Sequence, residues 1–396
     1  MKILVTAISF SSKISGIQRH AFNLVRCLLA HPQVSAVHLV IASWQQEMTK
    51  SAGLTPDSRL QIHIAHLEPG SISRNVWHYR SLPNLAKHLQ PDLIHLTYPI
   101  PIDANALPCP TVLTLHDLYP YEIPSNFRFP QVIVNRLTLR HCLRNVDAIA
   151  CVSDVTLLRL KQFAPELVWR NAVRIYNCVE SAASRMGSTP LPAVSGKPFL
   201  LCVAQHRRNK NIPLLIRVFG SLLSRGEVHE STNLLIVGIT GPETASIQEM
   251  VAQRSLNKRV CFRDGLSDSE LQWCYEHCDM LLVPSTTEGF GLPVAEGLLA
   301  GCRVVCSNIP ALREVGGEHC RYFDLGQEEE QSFANAITTI LKHPKPPAIN
   351  LPHLSAEALA SEYVALYRQV IQRPFAQIAS EPNHSELRDG SALRGV

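Results

Sequence analysis

The segment from Met280 to Cys306 constrains the fold more tightly than any other part of the chain. Met280-Leu281-Leu282-Val283 is an apolar run too short for a helix and closed by Pro284, so it reads as a buried strand. Then comes Pro284-Ser285-Thr286-Thr287-Glu288-Gly289-Phe290-Gly291-Leu292-Pro293-Val294-Ala295-Glu296. Pro293 stands where a first helical residue is favoured, and Gly301 where a helix stops. Arg303-Val304-Val305-Cys306 reads as a second strand. In a strand, glycine loop and helix of this kind, the loop amides and the helix N-terminus converge on one spot and favour an anion. Gly289 and Gly291 let the backbone come close to that anion. Glu288 precedes the loop and Glu296 lies about one turn into the helix. A phosphate cradle beside two carboxylates suits a ligand that carries both phosphate and hydroxyls, such as a nucleotide sugar.

Glu288 and Glu296 form a Glu-x7-Glu pattern within a Pro-Ser-x-x-Glu-Gly-Phe-Gly-Leu-Pro context. This context resembles the retaining glycosyltransferases of family four, which have the GT-B fold. A bare Glu-x7-Glu carries nothing, since any two helical carboxylates match it; the surrounding residues make the match specific. The resemblance implies an α/β chain with two Rossmann-like domains facing a central cleft.

Composition narrows the alternatives. At 396 residues, one core is too few. A formal charge of +4 spread over that length does not argue for nucleic acid. None of the twelve cysteines forms a Cys-x-x-Cys pair, and Cys151, Cys202, Cys261 and Cys306 fall in apolar runs, where a thiol acts as a small core residue. Cys274 and Cys278 have no histidine partners at zinc-ligand spacing. Reduced thiols and a cytoplasmic setting are expected. Met1 to Val5 enters a strand at once, which reads as no signal peptide, and no apolar run reaches the length of a membrane span.

Lys2 to Ala7 reads as the first strand, followed by a polar loop, Ser9 to Ser15, and a helix opened by Gly16. The resemblance puts Gly16 near a donor pyrophosphate; relatives often carry two adjacent glycines there. Short apolar runs at 37–41, 61–65, 93–96 and 111–115 alternate with helices and argue a parallel sheet covered on both faces. His116 follows the last of these, at a strand carboxyl end where ligands of such sheets bind. The resemblance puts a histidine there beside the donor sugar; a satisfied surface histidine is the plain alternative, and a metal site of His116 with Asp117 has no visible third ligand. Next come an aromatic, proline-rich loop and a helix with Arg136, Arg140 and Arg144 on one stripe, either a solvated face or a surface for an anionic membrane.

Residues 181–198, rich in Ser, Pro, Gly and Ala, read as a linker. Phe199 to Val203 opens the second domain, and Arg207, Arg208 and Lys210 lie between this strand and the next helix, where cations neutralise a diphosphate. The resemblance assigns phosphate binding to Lys210 and to one of Arg207 or Arg208. It also sets Phe262 and Arg263 beside the nucleobase, Glu296 on the ribose, and Glu288 at the sugar. The amides of Gly289, Phe290, Gly291 and Leu292 join Lys210 on the diphosphate.

The expected organisation is an N-terminal acceptor-binding domain over 1–180, the linker, a nucleotide-sugar-binding domain over 199–355, a helix crossing back over 356–373, and a disordered tail over 374–396. The expected chemistry is metal-independent hexosyl transfer with retention, from a UDP- or GDP-sugar to a glycan or lipid-linked acceptor in cell-surface polysaccharide or lipopolysaccharide assembly. His116, Glu288 and Lys210 are its catalytic candidates; no cofactor and no nucleic acid enter, and peripheral contact with the inner membrane face stays open. The alternatives are a nucleotide-sugar 2-epimerase and a non-catalytic nucleotide-sugar-binding protein.

Overall fold

The computed structural model describes residues 1–9, 15–51, 54, 57–127, 129–165, 172–179 and 187–372. The proposed tail, residues 181–186 of the proposed linker and most of the loop before Gly16 lie outside the described residues. Among these, thirteen strands form two parallel sheets. In the first, β1 (Lys2–Thr6), β2 (Ala36–Ala42), β3 (Leu60–Ala65), β4 (Leu93–Leu96), β5 (Thr111–Leu115), β6 (Ala148–Cys151) and β7 (Ala172–Arg174) stand in the order 3-2-1-4-5-6-7. The second holds β8 (Phe199–Val203), β9 (Asn233–Val237), β10 (Val260–Arg263), β11 (Met280–Val283), β12 (Val304–Ser307) and β13 (Arg321–Phe323) in the order 10-9-8-11-12-13. Each order reverses beside its first strand, β1 against β4 and β8 against β11, which opens a crevice at the strand carboxyl ends. Both domains are Rossmann-like.

The strands are apolar throughout because each sheet is covered on both faces. Ile3 and Val5 point into one core with helices Gly16–Ala30 and Ala356–Ile371, while Leu4 points into the other with helices Ser71–Leu89, Gln131–Asn145 and Asp154–Phe163. Leu201 and Leu281 face the core shared with helices Asp268–His277 and Leu292–Leu299; Leu200 and Leu282 face the opposite one. The cysteines are all free, and most are buried as small apolar side chains.

Helix Ala356–Ile371 follows the second sheet in sequence but belongs to the first core. Leu359, Tyr363, Tyr367 and Val370 are buried against helix Gly16–Ala30, and the Tyr367 hydroxyl lies 2.6 Å from Nδ1 of the buried His95. Ser355 caps this helix by accepting from the amide of Ala358. The chain therefore crosses between the domains twice. Among the described residues no helix is long and apolar enough to cross a membrane.

Tyr363→Ala is expected to lower the unfolding free energy of the first domain by about 3–5 kcal/mol, the range for truncating a buried aromatic. An unchanged urea midpoint would show that the returning helix contributes no packing.

Candidate active site

The loop after β11 folds back on itself. Ser285 Oγ donates to Glu288 Oε1 at 2.7 Å, and Ser307 Oγ, from the end of β12, donates to the Ser285 carbonyl. Gly291 has φ of +114°, a conformation that disfavours any side chain, and it opens helix Leu292–Leu299 with Pro293 in its first turn. That helix starts one residue before the proline. Gly301, at φ +72°, ends it. Among the described residues, the amides of Phe290, Gly291 and Leu292 meet no acceptor within the chain, as an anion-binding helix entrance requires. The Phe290 side chain turns away from this spot, buried with its ring 5.8 Å from that of Tyr176.

Beyond β8 the chain makes a single turn, Arg208–Lys210, which brings Lys210 Nζ to 2.5 Å from Glu288 Oε1. Glu288 is almost wholly buried, so the ammonium is its charge partner in a place that water barely reaches. Arg207 and Lys210 both draw on Asp117 electrostatically, whereas Arg208 faces solvent. Asn209, between them, is buried and does what no sequence pattern announced. Its amide donates to the Tyr119 hydroxyl and to the Thr287 carbonyl, each at 3.3 Å, and its own carbonyl accepts from the amide of Thr286.

The first domain closes the other side. His116 follows β5, and its Nε2 lies 2.9 Å from the Thr97 carbonyl. A carbonyl only accepts, so Nε2 carries the proton and Nδ1 is left as an acceptor when the ring is neutral. Burial pushes the His116 pKa down to about 4, which keeps it neutral at physiological pH. The buried His20 stands edge-on at 4.7 Å. The neighbouring Asp117 is raised to about 6 by burial, with Glu122 adding to the shift and Arg207 and Lys210 opposing it.

Gly289 has a reason the sequence did not disclose. A Cβ there would stand 1.8 Å from the His116 carbonyl oxygen, so the two domains meet backbone to backbone at this residue. Its glycine serves the contact with the first domain. Ser153, the cap of helix Asp154–Phe163, and Thr156 in its first turn also donate to the Gly289 carbonyl, at 2.5 and 3.1 Å. Arg159 donates to the Glu288 carbonyl and to Thr287 Oγ1 while pairing with Glu122. Glu314 reaches across to accept from the amides of Asp154 and Val155.

Glu296 sits further along the cleft, where it accepts from the Tyr275 hydroxyl at 2.6 Å and faces Arg19 Nε at 3.9 Å. Burial raises its pKa, while Arg19 and the tyrosine hydrogen bond hold it down. Arg19 also pairs with Asp268 at 2.9 Å, tying the first turn of helix Gly16–Ala30 to the second domain. The nearest neighbour of a Cβ at Gly16 would be Leu292, at 3.8 Å, so the glycine loops of the two domains adjoin. Phe262 and Arg263 lie apart from these residues, on the edge strand β10. The Phe262 ring packs against His206, and the Arg263 guanidinium bonds the Phe262 carbonyl. A small recess of about 60 Å3 in the first domain is lined by Ser9, Ser15, Gln18, Arg74, Thr97 and Tyr98. Among the described residues no three His, Cys, Asp or Glu side chains are grouped to hold a metal ion.

Arg19, Tyr275, Asn209 and Arg159 went unassigned by sequence reasoning. Arg19 lies three residues after Gly16, so it could have been found by asking which side chain shares the helix's first turn. Asn209 lies inside the basic turn but carries no charge to mark it, and Tyr275 and Arg159 sit far from any motif. Gly289→Ala is expected to force the domains apart, seen as a larger radius of gyration in solution scattering; an unchanged radius would contradict the backbone contact. Because the Asp117 pKa is raised, the native state holds its proton more tightly than the unfolded chain, and this group costs stability as pH rises from about 4 to about 6. Asp117→Asn should therefore gain in Tm over the wild type across that interval and hold the gain above it. A constant difference from pH 4 to 7 would contradict the shift.

Comparison with known proteins agrees with this geometry. The family described as Glycosyl transferases group 1 matches residues 189–350, and that described as Glycosyltransferase Family 4 matches residues 14–182. The O-antigen chain mannosyltransferase RfbU of Salmonella typhimurium is 26% identical over 232 residues, covering 59% of this chain and 61% of the relative. The serotype-specific mannosyltransferase WbdA of Escherichia coli is 25% identical over 253 residues, 58% of this chain and 30% of the relative. The match thus spans less than two thirds of either protein's length. Among solved structures, a sucrose-phosphate synthase from Thermosynechococcus elongatus superposes with a TM-score of 0.69 at 18% identity, over 93% of this chain and 98% of that one. Anabaena HepE in complex with UDP and glucose superposes at 0.62 and 18%, over the same shares of the two chains. Both share the fold, two Rossmann-like domains facing a cleft in the GT-B arrangement. With both halves matched, the chain belongs to the family four glycosyltransferases, glycosyl transferases group 1.

Proposed function

We propose that this protein moves a hexosyl group from a nucleoside diphosphate sugar to a hydroxyl of a glycan or lipid-linked acceptor, with retained anomeric configuration. The observation that carries the reading is the Lys210–Glu288 pair, held in the interdomain cleft beside the loop whose amides at Phe290, Gly291 and Leu292 lack chain acceptors. Those amides, with Lys210 and Arg207, take the diphosphate; Arg208 stands outside. Glu296 takes the ribose hydroxyls, and Phe262 and Arg263 flank the base. Glu288 and the Nδ1 acceptor of His116 orient hydroxyls of the transferred sugar. The acceptor binds on the first-domain side of the cleft.

In the reaction the bond between the anomeric carbon and the diphosphate oxygen breaks, while the acceptor oxygen bonds to the same face of that carbon. The acceptor's proton passes to the departing phosphate oxygen. Negative charge grows on the diphosphate as the bond breaks, and preorganised donors aimed at it lower the barrier. Membership of the family and the mannosyltransferase relatives support a role in surface-polysaccharide assembly.

Lys210→Ala is expected to reduce turnover by roughly 10²-fold or more, the scale of losing one charge-stabilising donor. Unchanged turnover would remove Lys210 from the mechanism. Thermal unfolding with a panel of nucleotides reads the donor base directly, since a ligand at about 100 times its dissociation constant adds roughly 2.7 kcal/mol. Incubating the donor without acceptor separates the readings: an altered sugar identifies an epimerase, and stabilisation with no turnover on any acceptor identifies a binding protein.

A further inference from the structure

Most carboxylates along the cleft have a cation close by. Glu122 pairs with Arg159, Glu288 with Lys210, and Arg19 lies between Glu296 and Asp268. Among the described residues, Asp117 has no cation in ion-pair contact. Its Oδ1 accepts from the Tyr119 amide at 3.1 Å, and its Oδ2 accepts from nothing in the chain. That second oxygen is open to the cleft rather than sealed in the core.

Local structure explains only half of this side chain. A carboxylate that accepts from the amide two residues on closes a turn, here at the start of the short helix Tyr119–Glu122. Asparagine closes the same turn equally well, so the turn does not call for a charge. The charge is carried at a cost. Burial opposes ionisation, the nearby Glu122 adds to it, and Arg207 and Lys210 offset it from beyond ion-pair distance. An ionisable group kept in a cleft against its environment, with no structural need for the charge, belongs to a binding function.

Its position says which one. Asp117 follows His116 at the carboxyl end of β5, and a Cβ at Gly289 would stand 3.6 Å from its own Cβ. The side chain therefore lies between His116 and the glycine loop, within electrostatic range of the ammonium that holds Glu288. An ionised carboxylate only accepts hydrogen bonds. A diphosphate brings no donors and would be repelled, whereas a sugar hydroxyl donates.

We propose that Asp117 Oδ2 accepts a hydrogen bond from a hydroxyl of the transferred sugar, and so selects among donors that share one nucleotide. This rests on the nucleotide-sugar reading of the same cleft and adds to it a residue that discriminates the sugar rather than the nucleotide. His116, Asp117 and Glu288 then meet the hexosyl group from both domains, while Lys210, Arg207 and the loop amides meet the diphosphate.

The test is titration calorimetry of the whole protein with UDP against UDP-glucose and GDP against GDP-mannose, for the wild type, Asp117→Ala and Asp117→Asn. The quantity read is the affinity for each nucleotide sugar divided by that for its nucleoside diphosphate. For the pair that the wild type binds, this ratio should fall roughly tenfold in Asp117→Ala, the scale of one hydrogen bond to a charged acceptor. A neutral acceptor bonds about half as strongly, so Asp117→Asn should lose roughly threefold. Affinity for the nucleoside diphosphate itself should hold or rise, since a repelling charge is gone. Asp117→Asn keeps the turn, so its Tm should not fall and its ratio reads binding alone. An unchanged ratio in both variants would overturn the proposal and leave the nucleotide-sugar reading standing. Equal loss for nucleotide and nucleotide sugar would overturn it too, making Asp117 a support for the phosphate-binding cations. A wild type that binds none of the four compounds would overturn the nucleotide-sugar reading itself.

Discussion

The rest of the structure depends on a contact that has no side chain on one side. At Gly289 the second domain brings bare backbone against the His116 carbonyl of the first, in a space that a methyl group would already overfill. Hydrogen bonds from Ser153 and Thr156 to the Gly289 carbonyl hold that approach, and Arg159, Asn209 and Glu314 extend it along the seam. With the seam closed, the carboxyl ends of both sheets aim at one another. The cleft is thus defined by how closely two main chains come, and its functional side chains take their positions from that distance.

Inside the cleft, charge is arranged in pairs that a diphosphate would disturb. Lys210 stands between Glu288, its ion-pair partner, and Asp117, whose carboxyl burial has already pushed upward. Arg19 is shared by Glu296 and Asp268 in the same manner. Desolvated pairs of this kind contribute little net stability, because the cost of removing both ions from water offsets their attraction. Their effect is to keep cations in position without a rigid scaffold, so that an incoming anion exchanges partners rather than recruiting a mobile side chain.

The sheets, the order of elements and the glycine loop were legible in the sequence because each rests on local patterns. Apolar runs of four or five residues mark doubly covered strands, and Pro293 and Gly301 bracket helix Leu292–Leu299. Lys210 and Glu288 were legible as site residues because they fall in loops at strand ends, where this topology gathers ligand-binding groups. Their pairing was not, since 78 residues separate them in sequence. Asn209 falls within the turn that carries Arg208 and Lys210, and Arg159 within helix Asp154–Phe163, with no local pattern to mark either. Only their partners from the other domain distinguish them.

The sequence by itself determined that the chain builds two parallel sheets with phosphate-suited turns at their carboxyl ends, because backbone propensity, periodicity and capping act over a few residues at a time. Tertiary structure alone decided that Gly289 must stay bare for the sake of His116 and that Arg207, not the exposed Arg208, acts on Asp117. The physical reason is the same in each case: these outcomes depend on the distance between groups remote in sequence, and that distance is fixed by how the two cores pack.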